Sequence, residues 1–317
     1  DRNIFSYNAL SNFIETTGDP LIKSLFQKLN TKNFELIMQQ LDNFCEIVEI
    51  FSDDKTLVPK IKAVSEKLKN SLIDAVKELH PEHVFKVPEE KSQACIQFLQ
   101  EYLNKNGLVF STNYDLLLYW VLMRNGADNA IDGFGRDLET DLDDGHYVEP
   151  DDLEYSELRW GKYKEEQTVY YLHGTLPIFD TGINIVKAQY DEEHYLLQNV
   201  KDRIDKKEYP IFVTAGNGKE KLTHIMHNKY LSFCYDQLCN IEGSLVTFGF
   251  NFGEYDTHII DAINVAAKMG RKIPDKRWSV YIGVYSDENL KHIIEIKDKF
   301  KCKVTPYNAR TANIWGT

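Results

Sequence analysis

The 317-residue chain is 43% hydrophobic and 12% aromatic, enough apolar material for one large core or two modest ones. With 49 acidic against 37 basic residues its formal charge is -12, which disfavours sequence-independent attraction to nucleic acid or to an anionic membrane. No apolar run reaches the roughly 18 residues that a membrane span needs, so the chain reads as a soluble globular protein.

Five cysteines, Cys45, Cys95, Cys234, Cys239 and Cys302, are widely scattered and form no Cys-x-x-Cys pair. That gives a structural zinc site no support, no metal is expected, and reduced thiols in a cytoplasmic protein are the simplest reading.

From residue 8 to about 104 the apolar pattern is helical almost throughout. Pro20 opens one helix, with Pro in its first turn after Gly18-Asp19. A second spans 34–51, with Ile37, Leu41, Phe44, Val48 and Phe51 at three- and four-residue spacings. A third covers 57–79 and a fourth 89–104, the latter with Cys95, Phe98, Leu99 and Leu103 on one side. His80-Pro81 and Val87-Pro88 break the run. Residues 1–106 are thus expected to form a helical layer, and 107–317 a second region of different grammar.

In that second region strands are expected at 108–111, 169–172, 211–214, 244–248, 278–284 and 304–307. Helices fall between them at 116–123, 191–205, 219–238, 257–269 and 288–300. This alternation predicts an α/β fold, a Rossmann-like and mostly parallel sheet with helices on both faces. Residues 178–185 read as a local hairpin around Asp180-Thr181-Gly182. Residues 136–154 are dense in acid. Asp143-Asp144-Gly145 places Leu142 where a calcium loop needs an oxygen ligand, so a solvated loop is the better reading. Ala215-Gly216-Asn217-Gly218-Lys219 lacks phosphate-loop spacing and reads as a strand-to-helix turn.

Three strand ends carry polar residues. At Ser111-Thr112-Asn113-Tyr114-Asp115 an apolar strand runs into a helix, leaving an amide and a carboxylate at a sheet edge of the kind where open α/β sheets bind ligands. The plainer reading makes Asp115 a helix cap and Asn113 a turn residue. At Leu172-His173-Gly174-Thr175 a second strand leaves His173, a group titrating near neutral pH, beside a glycine that permits close approach. Its plainer reading is a hydrogen-bonded, half-buried histidine. A third strand stops at Gly249 and is followed by Phe250, Asn251 and Asp256, where a helix begins and exposed amides would suit a phosphate or ribose.

In this order, Ser-Thr-Asn-Tyr-Asp, Leu-His-Gly-Thr and Val-Thr-Phe-Gly-Phe-Asn resemble the corresponding segments of the sirtuin superfamily, and more closely those of the sirtuin-like NADases of bacterial anti-phage defence. The resemblance covers about 107–317. It implies NAD as substrate, cleaved to nicotinamide and ADP-ribose, with Asn113, His173 and Asp115 as catalytic residues. It implies that Ser111, Thr112, Gly174, Gly249, Phe250, Asn251 and Asp256 hold the dinucleotide. It also implies a regulatory partner protein or a homo-oligomer as activator. Sirtuin deacylases carry four zinc-binding cysteines in an interval where this chain has only Cys234 and Cys239, which argues against protein deacylation. The family's Gly-rich phosphate loop has no counterpart before Asn113, and is expected upstream of Asp1. A non-catalytic NAD or ADP-ribose sensor, and a zinc-free deacylase or ADP-ribosyltransferase, are the alternatives.

Overall fold

The computed structural model describes residues 20–29, 34–79, 84–136, 138–139, 154–155, 157–188, 196–206, 208–213, 217–270 and 279–315. Most of the acid-rich 136–154 segment, and Ala215-Gly216, lie outside the described residues. The chain divides into two compact units, Asp1–Val87 with Leu103–Thr214, and Pro88–Tyr102 with Ala215–Thr317. This division does not coincide with the change of pattern at residue 106. A change from helical to alternating grammar marks a change of secondary structure, whereas unit membership follows shared core.

In the first unit, α1 (Pro20–Lys28), α2 (Phe34–Phe51) and α3 (Leu57–Leu79) fall where their apolar spacing predicts. The buried stripe of α2 is Ile37, Leu41, Cys45 and Val48, and it shares a core with Trp120, Phe179 and Phe212. Phe44 and Phe51, expected in that stripe, are exposed. At about 100° of turn per residue both lie on the flank beyond Ile37, while the stripe is centred on Leu41 and Val48 and extends the other way to Cys45.

Two sheets and one short strand pair complete the described part of this unit. Strand β1 (Val109–Ser111) pairs in parallel with β6 (Val169–Tyr171), and helix α5 (Leu117–Arg124) follows β1. The other sheet has the order β2-β5-β8-β7-β9, built from Phe134–Gly135, Leu158–Trp160, Ile185–Lys187, Gly174–Asp180 and Pro210–Phe212. Between β2 and β5 in the chain, β3 (Leu138–Glu139) and β4 (Glu154–Tyr155) form a separate antiparallel pair. Helix α6 (Leu196–Asp205) precedes β9.

The five-stranded sheet corrects the expectation of a mostly parallel one, since every pairing within it is antiparallel. The expected hairpin supplies part of the reason. Thr181 donates its hydroxyl to the Asn184 carbonyl, Gly182 N–H reaches the Asp180 carboxylate at 2.8 Å, and so short a connection permits only antiparallel neighbours.

In the second unit, β10 (Leu245–Thr247), β11 (Ser279–Val284) and β12 (Lys303–Asn308) form a parallel sheet in that order. Helix α9 (Thr257–Gly270) links β10 to β11, and α10 (Asp287–Ile296) links β11 to β12, making two consecutive strand-helix-strand units. Helix α4 (Glu89–Leu103) belongs largely to this unit, where Phe98 packs against Phe248 with ring centroids 6.3 Å apart.

The helix expected at 219–238 is two helices, α7 (Gly218–His227) and α8 (Lys229–Cys239). Asn217 and Glu220 form a reciprocal capping box at the first start, and the Asn228 side chain accepts the Tyr230 and Leu231 N–H groups at the second. The extended Asn228 interrupts the helical ladder, and its side chain supplies the acceptor those donors lose.

Among the described glycines of the first unit, Gly174 leaves the least room for a side chain. Its φ is 74°, and a Cβ there would stand 1.9 Å from the Ile211 carbonyl oxygen on β9. Gly249 also has positive φ, 69°, with open space around it. Gly174→Ala is therefore expected to cost about 3 kcal/mol or more, and Gly249→Ala about 1 kcal/mol, in denaturant unfolding. Equal losses at the two sites would refute the steric argument.

Candidate functional site

The parallel register of β1 and β6 decides where the polar loops go. Val109 lies opposite Val169, Phe110 opposite Tyr170 and Ser111 opposite Tyr171, so Asn113 and His173 each follow two residues past matched strand ends. The rings of Phe110 and Tyr170 stack at 4.9 Å, and Leu172 N–H donates to the Ser111 carbonyl at 2.8 Å. Two segments about sixty residues apart in sequence thereby meet at one carboxyl edge.

Past that edge the loops are stitched directly. The Thr175 hydroxyl reaches the carbonyls of Tyr114 at 3.2 Å and Asp115 at 3.0 Å, and Leu176 N–H donates to the Tyr114 carbonyl at 2.9 Å. On the other side, Val213 N–H donates to the His173 carbonyl at 2.8 Å. His173 is buried, 3% exposed, and Gly174 beside it is buried as well. Asn113 is exposed, its N–H turned back onto the Ser111 hydroxyl at 3.1 Å, while Ser111 and Thr112 are half-buried.

Asp115 meets its plainer reading in part. One carboxylate oxygen accepts the Leu117 N–H at 2.8 Å and so caps α5. The other, Oδ2, has no hydrogen-bond partner among the described residues, in a side chain 2% exposed. Burial pushes this carboxyl up to about 6, against the Leu117 N–H and the Asn113 side chain, which both favour its charged form. Burial also raises the phenol of the neighbouring Tyr114, and the Asp115 charge adds to that shift.

The remaining expected ligand-binding residues belong to the second unit. Gly249, Phe250 and Asn251 form the loop after β10, at the carboxyl edge of the parallel sheet. Gly249 is exposed, and Phe250 packs edge-on against Phe252 at 4.7 Å. The exposed Asn251 accepts a hydrogen bond from Asn289 at 3.3 Å, at the start of α10. Phe252 is the strained residue of the loop, with φ of 49° and 2% exposure.

Asp256 has a partner that sequence reasoning missed: Lys221 of α7, 1% exposed, with its ammonium 2.6 Å from the Asp256 carboxylate. Burial lowers the Lys221 pKa and the Asp256 charge opposes that. Thr175 was missed too, although a hydroxyl directly after His-Gly was the available signal. Nothing local marks Lys221, because its partner stands 35 positions away.

None of the five cysteines forms a disulfide, and burial raises the Cys95 thiol to about 12 and the Cys239 thiol to about 11, so neither is a ready thiolate at neutral pH.

Fold and site together define an α/β protein whose first unit holds a buried imidazole and a buried carboxylate on two loops tied at one parallel strand edge. The chain belongs to the family described as Domain of unknown function (DUF4917), whose model matches residues 2–315. No curated protein and no solved structure matches it.

Two stability measurements test the electrostatics. A carboxyl raised from 3.8 to about 6 by folding favours the native state below pH 4, and that advantage disappears as pH rises through 6. Asp115→Asn should therefore be more stable than the parent by about 2 to 3 kcal/mol at pH 7.5, with the gap closing below pH 4. A gap that does not vary with pH would contradict the raised pKa. For the other pair, Asp256→Asn leaves the buried Lys221 ammonium without that counter-charge and should cost about 3 to 5 kcal/mol, whereas Lys221→Met should change stability by about 1 kcal/mol or less. The reverse ranking would show that Lys221 is solvated.

Proposed function

We propose that this protein is an NAD glycohydrolase, using water to cleave the bond between nicotinamide and ribose C1′ and releasing nicotinamide, ADP-ribose and a proton. The observation that carries this reading is the matched position of Asn113 and His173 beyond paired parallel strands, with their loops bonded through Thr175. The resemblance of the three strand-end motifs to sirtuin-like NADases supplies the reaction, and the geometry agrees with it.

The scissile bond joins a cationic pyridinium to a sugar, so nicotinamide leaves neutral and positive charge develops on the ribose. The protein's task is to stabilise an oxocarbenium-like ribose and to position water. Asn113, exposed at the edge, would hold the water or a ribose hydroxyl. His173 would take the proton as general base. Asp115, ionised above about pH 6, would contribute a negative charge in low dielectric toward the developing cation.

In this reading Ser111, Thr112 and Gly174 line the nicotinamide ribose, while Gly249, Phe250 and Asn251, in the loop after β10, keep the ligand-binding role that the resemblance implies. Asp256 is better explained as the counter-charge of Lys221 than as a ribose ligand. No metal is required. We place the enzyme in the cytoplasm, as the effector of an anti-phage defence system that a partner protein or self-assembly activates.

The test is nicotinamide release from NAD by the full chain co-purified with the products of its neighbouring genes. Asn113→Ala and His173→Gln should each lower release by at least about a hundredfold while retaining the parent's unfolding midpoint. Parental turnover by either folded variant would eliminate this assignment. Calorimetric NAD binding with no nicotinamide produced, in the activated complex, would convert the reading to a sensor.

A further inference from the structure

The first unit contains a cavity of about 470 Å³ that the proposed reaction does not use. Its volume falls in the range of small-ligand sites, roughly 300 to 1,000 Å³. Tyr119 and Leu122 of α5, Phe134 of β2 and Tyr171 of β6 supply its aromatic and apolar wall. Gly135 helps place one further ring, since a Cβ there would stand 2.5 Å from the ring of Tyr163, which lines the cavity from the exposed side.

The charged groups decide what such a cavity prefers. Lys187 is the single basic residue among the described lining residues, and it is ion-paired with Asp132. Its ammonium also lies 5.1 Å from the Tyr119 ring centroid and 5.3 Å from that of Phe134. The cavity wall thus already holds an ammonium by ring faces and a carboxylate, the combination that recognises cations. Two further carboxylates, Asp128 and Glu166, stand exposed among the lining residues. Counting Asp132, three lining carboxylates face one ammonium, which disfavours phosphates and carboxylates as occupants.

We propose that this cavity binds a small organic monocation with an aromatic or compact apolar body. The body lies against Tyr171 and Leu122, and the cationic end faces Asp128 and Glu166. Neither acid contributes to the loops of Asn113 and His173, so the proposal does not depend on NAD cleavage.

The experiment is calorimetric titration of the full chain with benzyltrimethylammonium, with benzyl alcohol as the neutral counterpart and phenylacetate as the anion. The cation should bind at least about tenfold more tightly than the alcohol, with phenylacetate weakest, and raised salt should erode the preference. Asp128→Asn combined with Glu166→Gln, both at exposed positions, should weaken the cation about tenfold without shifting the unfolding midpoint. Ala130→Trp, which fills the cavity from a half-buried lining position, should abolish binding in a protein that still unfolds cooperatively. Equal or tighter binding of phenylacetate, no cation binding at millimolar concentration, or undiminished binding by the folded Ala130→Trp variant would each overturn the proposal.

Discussion

The candidate site depends on the hydrogen bonds that Thr175 and its neighbours make to the loop after β1. Thr175 Oγ1 lies 3.2 and 3.0 Å from the carbonyls of Tyr114 and Asp115, two acceptors that α5 cannot use because they precede its first turn. A buried carbonyl without a donor costs about as much as a lost hydrogen bond, so Thr175 does more than decorate the contact. It makes the loop after β1 satisfied only when the segment after His173 is in place. The Leu172 and Leu176 amides, bonded to Ser111 and Tyr114, extend the same link on either side. An exposed amide and a buried imidazole therefore share a fixed backbone frame.

Gly174 lets that frame continue into the antiparallel sheet. Its left-handed φ turns the chain from the parallel edge of β6 into β7, and its missing side chain admits the Ile211 carbonyl. One residue thus joins two sheets of opposite character. A glycine after a strand-end histidine is readable in sequence, but the backbone it must admit comes from β9, which no local pattern identifies.

Elsewhere the same boundary separates what was readable from what was not. The strand ends at Ser111 and Tyr171 were legible because short apolar runs stop abruptly at polar residues, and the Asp180-Gly182 hairpin was legible from its turn chemistry. The pairing of β7 with β9, the break at Asn228 and the burial of Lys221 were not. The first requires a partner more than thirty residues away. The second is hidden inside uninterrupted helical periodicity, where one asparagine side chain supplies the acceptor that the interrupted ladder loses. The third depends on Asp256, and a lysine alone reads as solvent-facing. Phe44 and Phe51 show a related failure, since spacing defines a helix face only to within a flank and the shared core selects which flank is covered.

Asp115 and the Lys221–Asp256 pair are both buried charges, yet they lead to different conclusions. Lys221 has a counter-ion at 2.6 Å, which offsets part of the cost of its burial within the fold. Asp115 gives one oxygen to the Leu117 amide, the other has no donor among the described residues, and burial raises its carboxyl to about 6. A helix cap alone needs no such arrangement, because serine or asparagine would supply the acceptor without burying a titratable group. What the carboxylate adds over a neutral cap is a charge that appears close to neutral pH, at the backbone frame shared with His173. That addition costs native stability at the pH where it is charged, a cost that a neutral cap would not carry.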